Sequence, residues 1–250
     1  MPTGVLIDIS GVLYVGDEII DGTLDAMRIL KRSNLPTRFV TNTTRSPARE
    51  ILSKLLGMGF DIEVRDLYTA PMAARDYVDQ HGLSPYLLIH PALREELDYP
   101  DVEQPDAVLV GDAGEDFSYV HMNEAFRVLL SGAPLIAMGK NRYFQEADGL
   151  SIDAGAFLTA LEYAADTEAI ILGKPSPDFF LAAVKDMGCG PADVVMIGDD
   201  VESDVNGAVR AGLSGILVQT GKYRPGDEQQ LLPDRTVCVA DFSEAVKRIV

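Results

Sequence analysis

The chain has 250 residues, of which 39 are acidic and 21 are basic, so its formal net charge at pH 7 is −18. Hydrophobic residues make up 47% of the sequence, enough for a folded globular core rather than a disordered chain. The acidic excess argues against binding to nucleic acids or to anionic membrane surfaces. The sequence shows no signal-peptide pattern and no apolar run of membrane-spanning length, so we expect a cytoplasmic protein.

Short apolar runs alternate along the chain with stretches whose apolar residues recur at helical spacing. This alternation predicts an α/β fold in which parallel sheets are flanked by helices, because strands buried on both faces are continuously apolar. The predicted strands are 5–7, 38–40, 86–89, 107–110, 135–138, 169–172, 194–197 and 216–218. The predicted helices are 22–33, 46–57, 120–131, 154–165, 177–187 and 203–212.

The first two predicted strands end in side chains that can bind a ligand. Asp8 follows a buried strand, where an acid is poorly placed for packing but well placed to bind a metal or to act as a nucleophile. Thr41 and Asn42 end the second strand, and their hydroxyl and amide groups can hydrogen-bond a phosphate oxygen. Taken singly, Asp8 fits a turn equally well, and a turn or helix cap explains Thr41 and Asn42 better.

Two later strands are followed by charged residues of opposite sign. Lys174 offers a positive charge for phosphate, although alone it indicates little. Asp199, Asp200 and Asp204 come after 194–197, and carboxylates this close repel one another unless a cation lies among them. Mg²⁺ prefers such oxygen ligands, so the cluster predicts a Mg²⁺ site. The alternative is that these acids begin a helix, which suits Asp204 better than Asp199.

These motifs occur in the order Asp-x-Ser-Gly-Val, Thr-Asn, Gly-Lys-Pro and Gly-Asp-Asp-x-x-x-Asp. In this order they resemble the haloacid dehalogenase-like superfamily of Mg²⁺-dependent phosphohydrolases, over essentially the whole chain. The resemblance implies a small phosphorylated molecule as the substrate and a role for each motif residue. The implied roles are nucleophile and metal ligand for Asp8, metal ligand through the backbone carbonyl for Ser10, phosphoryl binding for Thr41 and Asn42, charge neutralisation for Lys174, metal ligand for Asp199, and support of the metal site for Asp200 and Asp204.

Roughly 130 residues separate the second motif from the third, too many for one crossover connection, and they contain strand and helix signals of their own. The resemblance makes this insertion the α/β cap of the NagD-like class, over 79–171. It makes 1–78 and 172–250 a Rossmann-like core with a parallel sheet flanked by helices. Several stretches, 8–14 and 160–164 among them, resemble the phospholysine, phosphohistidine and inorganic pyrophosphate phosphatases and their hydrolase-domain-containing relatives.

The predicted cap adds two expectations. Arg142 follows a predicted cap strand and is a candidate for binding the substrate, although a solvated arginine explains it at least as well. The resemblance also implies a homodimer formed through the cap.

Ser10 occupies a position where most phosphatases of the superfamily have a second Asp that exchanges a proton with the leaving group. A hydroxyl does not ionise near pH 7, and positioned acid–base catalysis is typically worth about 10²–10⁴-fold in rate. We therefore expect a Mg²⁺-dependent phosphohydrolase that forms an aspartyl phosphate and favours pyrophosphate or other substrates with good leaving groups. Two alternatives stay open: a catalytically weak protein that binds phosphate ligands, and a hydrolase of carbon–halogen bonds.

Overall fold

A computed structural model describes residues 2–146 and 149–250 of the chain. The chain forms two compact units, each built from segments that are discontinuous in sequence. The first unit comprises Met1–Thr41, Arg49–Tyr68 and Lys174–Val250. The second unit comprises Asn42–Ala48 and Thr69–Gly173.

The two units differ in extent from the predicted core and cap. The prediction divides the chain after residue 78, inside a helix that the structure shows to be continuous from Ala70 to His81. Thr69 caps this helix, because its side chain accepts a hydrogen bond from the backbone N–H of Met72 (3.2 Å). The structure places the whole helix in the second unit, and the first unit resumes at Lys174 rather than at 172.

Strands and helices alternate along both units. The strands are β1 (Gly4–Asp8), β2 (Tyr14–Val15), β3 (Glu18–Ile19), β4 (Thr37–Thr41), β5 (Leu67–Thr69), β6 (Pro85–Leu88), β7 (Ala107–Val110), β8 (Leu135–Ala137), β9 (Tyr143–Glu146), β10 (Gly149–Ile152), β11 (Ile170–Ile171), β12 (Val194–Gly198), β13 (Ser214–Val218) and β14 (Thr236–Val239). The helices are α1 (Thr23–Ser33), α2 (Ala48–Gly57), α3 (Ala70–His81), α4 (Tyr119–Leu129), α5 (Ala154–Ala165), α6 (Pro177–Asp186), α7 (Gly207–Arg210) and α8 (Phe242–Ile249). Among the described residues, no helix has the length and hydrophobicity needed to span a membrane.

The sheet of the first unit has the strand order β14-β13-β12-β1-β4-β5. β1 pairs in parallel with β12 on one side and with β4 on the other, and β13 pairs in parallel with β12. Every residue of β1 and of β12 is buried, as expected for strands that helices cover on both faces. Because parallel strands end at the same edge of a sheet, the loops after β1, β4, β12 and β13 emerge side by side.

The second unit is built around a smaller parallel sheet with the order β11-β8-β7-β6. Its core joins the inward-facing residues of β7 and β8 to those of α4 and α5, for example Leu129 and Leu158. β9 and β10 pair with each other as an antiparallel hairpin outside this sheet. Both units therefore have the α/β architecture that the sequence predicts, and each has its own sheet.

One predicted helix, 203–212, takes a different form. The structure has a π-helical turn, Val201–Asn206, followed by the short helix α7. The Asp200 carboxylate accepts hydrogen bonds from the backbone N–H groups of Glu202 (3.1 Å) and Ser203 (2.9 Å). These bonds satisfy N–H groups that have no partner at the start of a helix, so helical structure begins earlier than the apolar pattern predicts.

Candidate active site

Three of the predicted site residues lie at the carboxyl edge of the first unit's sheet. Asp8 is the last residue of β1, Thr41 is the last residue of β4, and Asp199 directly follows β12. All three are buried, with Asp199 only 2% exposed. The order of the strands places β1 between β12 and β4, so Asp8 lies at the centre of this row.

Lys174 lies among the buried acids and bonds to two of them. Its Nζ donates hydrogen bonds to Oδ1 of Asp8 and to Oδ1 of Asp204, the latter at 2.6 Å. Burial lowers the pKa of Lys174, but the charges of Asp204 and Asp8 outweigh burial and raise it, so the amine stays protonated. Burial has the opposite effect on a carboxylate and raises the pKa of Asp8 to about 6, although the charge of Lys174 opposes the shift.

Asp199 is enclosed by backbone. Its Oδ2 accepts a hydrogen bond from the backbone N–H of Lys222 at 2.6 Å. An added Cβ would lie 1.9 Å from this oxygen at Gly11 and 2.1 Å from it at Gly221, so both positions require glycine. Burial raises the pKa of Asp199 to about 7, and repulsion from the carboxylates of Asp204 and Asp8 contributes further.

Asp200 and Asp204 have different surroundings, although the sequence predicts a supporting role for both. Asp204 is 1% exposed, and its Oδ2 accepts a hydrogen bond from the backbone N–H of Asp200 (3.2 Å) while its Oδ1 bonds to Lys174. Both Asp204 oxygens therefore already have partners in the protein. Asp200 instead directs its carboxylate to the π-helical turn that follows it.

The buried acids fit a divalent cation. One carboxylate oxygen from each of Asp8, Asp199 and Asp204, here called the acid cluster, lies within 4.8 Å of the others. Lys174 bonds to two of these three carboxylates, those of Asp8 and Asp204. Burial is the main cause of the raised pKa values of Asp8 and Asp199, and repulsion from Asp204 adds to it. Mg²⁺ suits hard oxygen donors of this kind. Because both oxygens of Asp204 have protein partners, Asp8 and Asp199 are the better placed to hold the ion directly.

The remaining predicted site residues lie at less enclosed positions. Ser10 is exposed and forms an isolated β-bridge with Tyr14. Asn42 is half-buried directly after β4 and groups with the second unit, where its Oδ1 would lie 3.0 Å from a Cβ added at Gly173. Arg142 is an exposed residue of the second unit, immediately before β9. Substrate binding by Arg142 stays a prediction.

The segment after β13 is a part of the site that sequence reasoning missed. The Thr220 hydroxyl donates a hydrogen bond to the backbone carbonyl of Gly11 (2.5 Å), and the Lys222 N–H donates to Asp199. The basic residues of 221–224 are conspicuous in the sequence, but an exposed loop explains them equally well, so they are not among the predicted site residues. Their position in the sequence could have identified them, because Thr220 and Lys222 follow a predicted strand, 216–218, just as the recognised motifs follow theirs.

Comparisons with known proteins identify the family of this chain. A haloacid dehalogenase-like hydrolase family model matches residues 5–103, and a HAD-hydrolase-like model matches residues 171–245. The rat haloacid dehalogenase-like hydrolase domain-containing protein 2 is 43% identical over 98% of this chain and 95% of its own. The human phospholysine phosphohistidine inorganic pyrophosphate phosphatase is 44% identical over 97% of this chain and 92% of its own.

Solved structures give the same result for the fold. The 4-nitrophenylphosphatase of Thermotoga maritima superposes with a TM-score of 0.89 at 25% identity, covering 98% of this chain and 97% of that one. NagD from E. coli K-12 superposes with a TM-score of 0.87 at 24% identity, covering 97% of this chain and 98% of that one. The chain therefore belongs to the haloacid dehalogenase-like hydrolase family, in the NagD-like phosphatase group that its motifs predict.

Proposed function

We propose that this protein is a Mg²⁺-dependent phosphohydrolase that forms a phosphoryl intermediate on Asp8. The observation that carries the proposal is the pairing of Asp8 with Lys174 inside a buried cluster of acids. A buried carboxylate beside a fixed ammonium can approach a phosphate anion that it would otherwise repel. The human relative named above, whose name includes inorganic pyrophosphate, supports a small phosphorylated substrate or pyrophosphate.

In the first step, an oxygen of Asp8 attacks the phosphorus atom opposite the leaving group. A bond forms between that oxygen and phosphorus as the bond to the leaving oxygen breaks, and the leaving oxygen departs with the electron pair. Lys174 stabilises the negative charge that builds on the phosphoryl oxygens, and Thr41 and Asn42 bind those oxygens through their hydroxyl and amide groups. Asp8, Asp199 and the Ser10 carbonyl would hold Mg²⁺, which would supply further positive charge to stabilise the transferring phosphoryl group.

In the second step, water attacks the phosphorus and releases Asp8. The bond between Asp8 and phosphorus breaks, and the proton of the water passes to solvent, because Ser10 cannot accept it as a carboxylate would. Because Ser10 stands where most phosphatases of the superfamily have an Asp, the first step also lacks a proton donor for the leaving group. We therefore propose that substrates whose leaving groups depart without protonation are favoured, pyrophosphate and aryl phosphates among them.

The test is hydrolysis of pyrophosphate and p-nitrophenyl phosphate with Mg²⁺ and with EDTA. Asp8→Asn should lower kcat at least about 10³-fold, because the neutral amide is a poor nucleophile. Asp21→Asn removes a charge from an exposed acid of the same unit and should leave kcat unchanged. Activity that survives Asp8→Asn, or that persists in EDTA, would contradict the mechanism.

The same assay separates the two alternatives. Phosphate binding without turnover in wild type would indicate a binding protein on this scaffold. Halide release without Mg²⁺ would indicate a carbon–halogen hydrolase, which has no need for Lys174 and Asp199 around a phosphate.

We also propose that the second unit acts as a cap that selects substrates, and that the protein forms a homodimer through it. Sedimentation can measure whether the protein is a dimer.

A further inference from the structure

Lys222 is fixed to the acid cluster through its main chain. It lies in the loop after β13, where its N–H holds Oδ2 of Asp199 at 2.6 Å. Two residues earlier, the Thr220 hydroxyl bonds to the carbonyl of Gly11 in the loop that follows Asp8. Gly221 packs between these contacts, since an added Cβ there would meet both Asp199 and Gly11. The base of the Lys222 side chain is therefore held at the site.

The ammonium group of Lys222, in contrast, is exposed. Its side chain is 72% accessible to solvent, whereas that of Lys174 is 5% accessible. The acid paired with its Nζ is Asp200, at 3.6 Å, a distance beyond that of a hydrogen bond. An exposed ion pair of this kind contributes little to stability. The ammonium can therefore leave Asp200 and bind another anion at a small cost in free energy.

We propose that Lys222 is a specificity-determining residue that binds the departing phosphate of a phosphoanhydride such as pyrophosphate. The inference rests on the proposed function and names its substrate class. When an Asp8 oxygen bonds to one phosphorus atom, the bridging P–O bond breaks and the bridging oxygen leaves with the electron pair as part of orthophosphate. A cation stabilises that charge without transferring a proton, which suits a site where Ser10 cannot donate one.

The test compares two leaving groups in the same enzyme. Lys222→Gln removes the charge but keeps the backbone N–H that holds Asp199. It should lower kcat/KM for pyrophosphate about tenfold or more, and change kcat/KM for p-nitrophenyl phosphate less than about threefold, because that leaving group carries no phosphate. Lys222→Arg should retain most of the pyrophosphate activity. Lys185→Gln, at an exposed lysine of α6, makes the same change in net charge and should alter neither rate.

A binding measurement gives a readout independent of turnover. Calorimetry at fixed free Mg²⁺ should show weaker binding of methylenediphosphonate, a non-hydrolysable diphosphate, by Lys222→Gln, with orthophosphate binding unchanged. An equal loss of kcat/KM for pyrophosphate and for p-nitrophenyl phosphate would overturn the inference, since Lys222 would then affect the site as a whole. Unchanged pyrophosphate hydrolysis would overturn it as well. A wild-type protein that hydrolyses neither substrate would instead refute the proposed function.

Discussion

Replacing Gly221 by alanine should disable the acid cluster without unfolding the protein. An added Cβ would lie 2.1 Å from Oδ2 of Asp199 and 2.4 Å from Cα of Gly11. Both distances are far inside van der Waals contact, so Asp199 or the loop after β1 must move by about 1 Å to accommodate the methyl group. Asp199 cannot move that far and keep its 2.6 Å hydrogen bond to Lys222.

Gly221→Ala has two separate costs, one from its backbone conformation and one from the steric clash at the acid cluster. Gly221 has a φ of +59°, and alanine in this conformation costs about 1 kcal/mol wherever it occurs. Gly188, in the same unit, has a φ of +69° and no neighbouring atom within 4 Å of an added Cβ. Gly188→Ala therefore carries the conformational cost alone. A misplacement of about 1 Å at a catalytic group lowers activity about 10²-fold, and only Gly221→Ala should show this loss.

The measurements are kcat/KM for p-nitrophenyl phosphate, urea unfolding, and the rise in Tm on adding Mg²⁺. Gly188→Ala should lose about 1 kcal/mol of unfolding free energy, and Gly221→Ala should lose about 1–3 kcal/mol more because of the clash. Gly188→Ala should keep wild-type activity and the full Mg²⁺ effect on Tm, whereas Gly221→Ala should lose about 10²-fold in activity and most of the Mg²⁺ effect. If Gly221→Ala were as active as Gly188→Ala, the enclosure of Asp199 by backbone would have no functional role, and the reasoning would be refuted.

Three further predictions concern Ser10, pH and salt. Ser10→Asp should raise kcat/KM for alkyl phosphate monoesters relative to pyrophosphate, by up to about 10²-fold, and an unchanged ratio would show that Ser10 does not limit substrate choice. Burial raises the pKa of Asp8 to about 6 and that of Asp199 to about 7, from the value of 3.8 expected in the unfolded chain. The folded state then binds more protons than the unfolded state between about pH 4 and 7, so the metal-free protein should lose stability in urea as the pH rises through this range. Mg²⁺ should accordingly raise Tm more at pH 8 than at pH 5.5, and an equal rise at both would contradict these shifts. Finally, the net charge of −18 should repel phosphate anions, so kcat/KM should increase when NaCl is raised from about 10 to 150 mM, and a rate independent of salt would exclude this repulsion.

The sequence contains enough information to predict the fold class and the centre of the site. β1 and β12 are continuous apolar runs because both of their faces are buried, and such runs are easily recognised. An acid directly after such a run has no packing role, which distinguishes Asp8 and Asp199 from the many solvated acids of the chain. Parallel strand order then brings these two residues to one edge, whatever their separation in sequence.

Elements with mixed surfaces were harder to predict. β14 is only partly buried and includes Thr236 and Cys238, so it lacks a continuous apolar run. α3 buries mainly small residues and begins with Ala70-Pro71, which weakens the helical pattern of large apolar side chains. Both elements are absent from the predicted set for this reason.

Parts of the site that depend on the main chain were also missed. The contact of Lys222 with Asp199 uses a backbone N–H, which every residue except proline has, so residue type carries no signal for it. The different surroundings of Asp200 and Asp204 depend on the π-helical turn, which turns one carboxylate towards Lys174 and the other towards backbone. Their spacing alone could not separate the two roles.

The glycines around the acid cluster have a consequence for how this protein can change. Gly11 and Gly221 border Asp199, and a Cβ at Gly198 would lie 2.2 Å from Cβ of Asp204. At these three positions only the peptide backbone borders the buried acids, and any added side chain would clash with its neighbours. The protein side of the proposed metal site is thus closed to new side chains, so new substrate preferences can arise at positions such as Lys222, whose side chain extends away from the acid cluster.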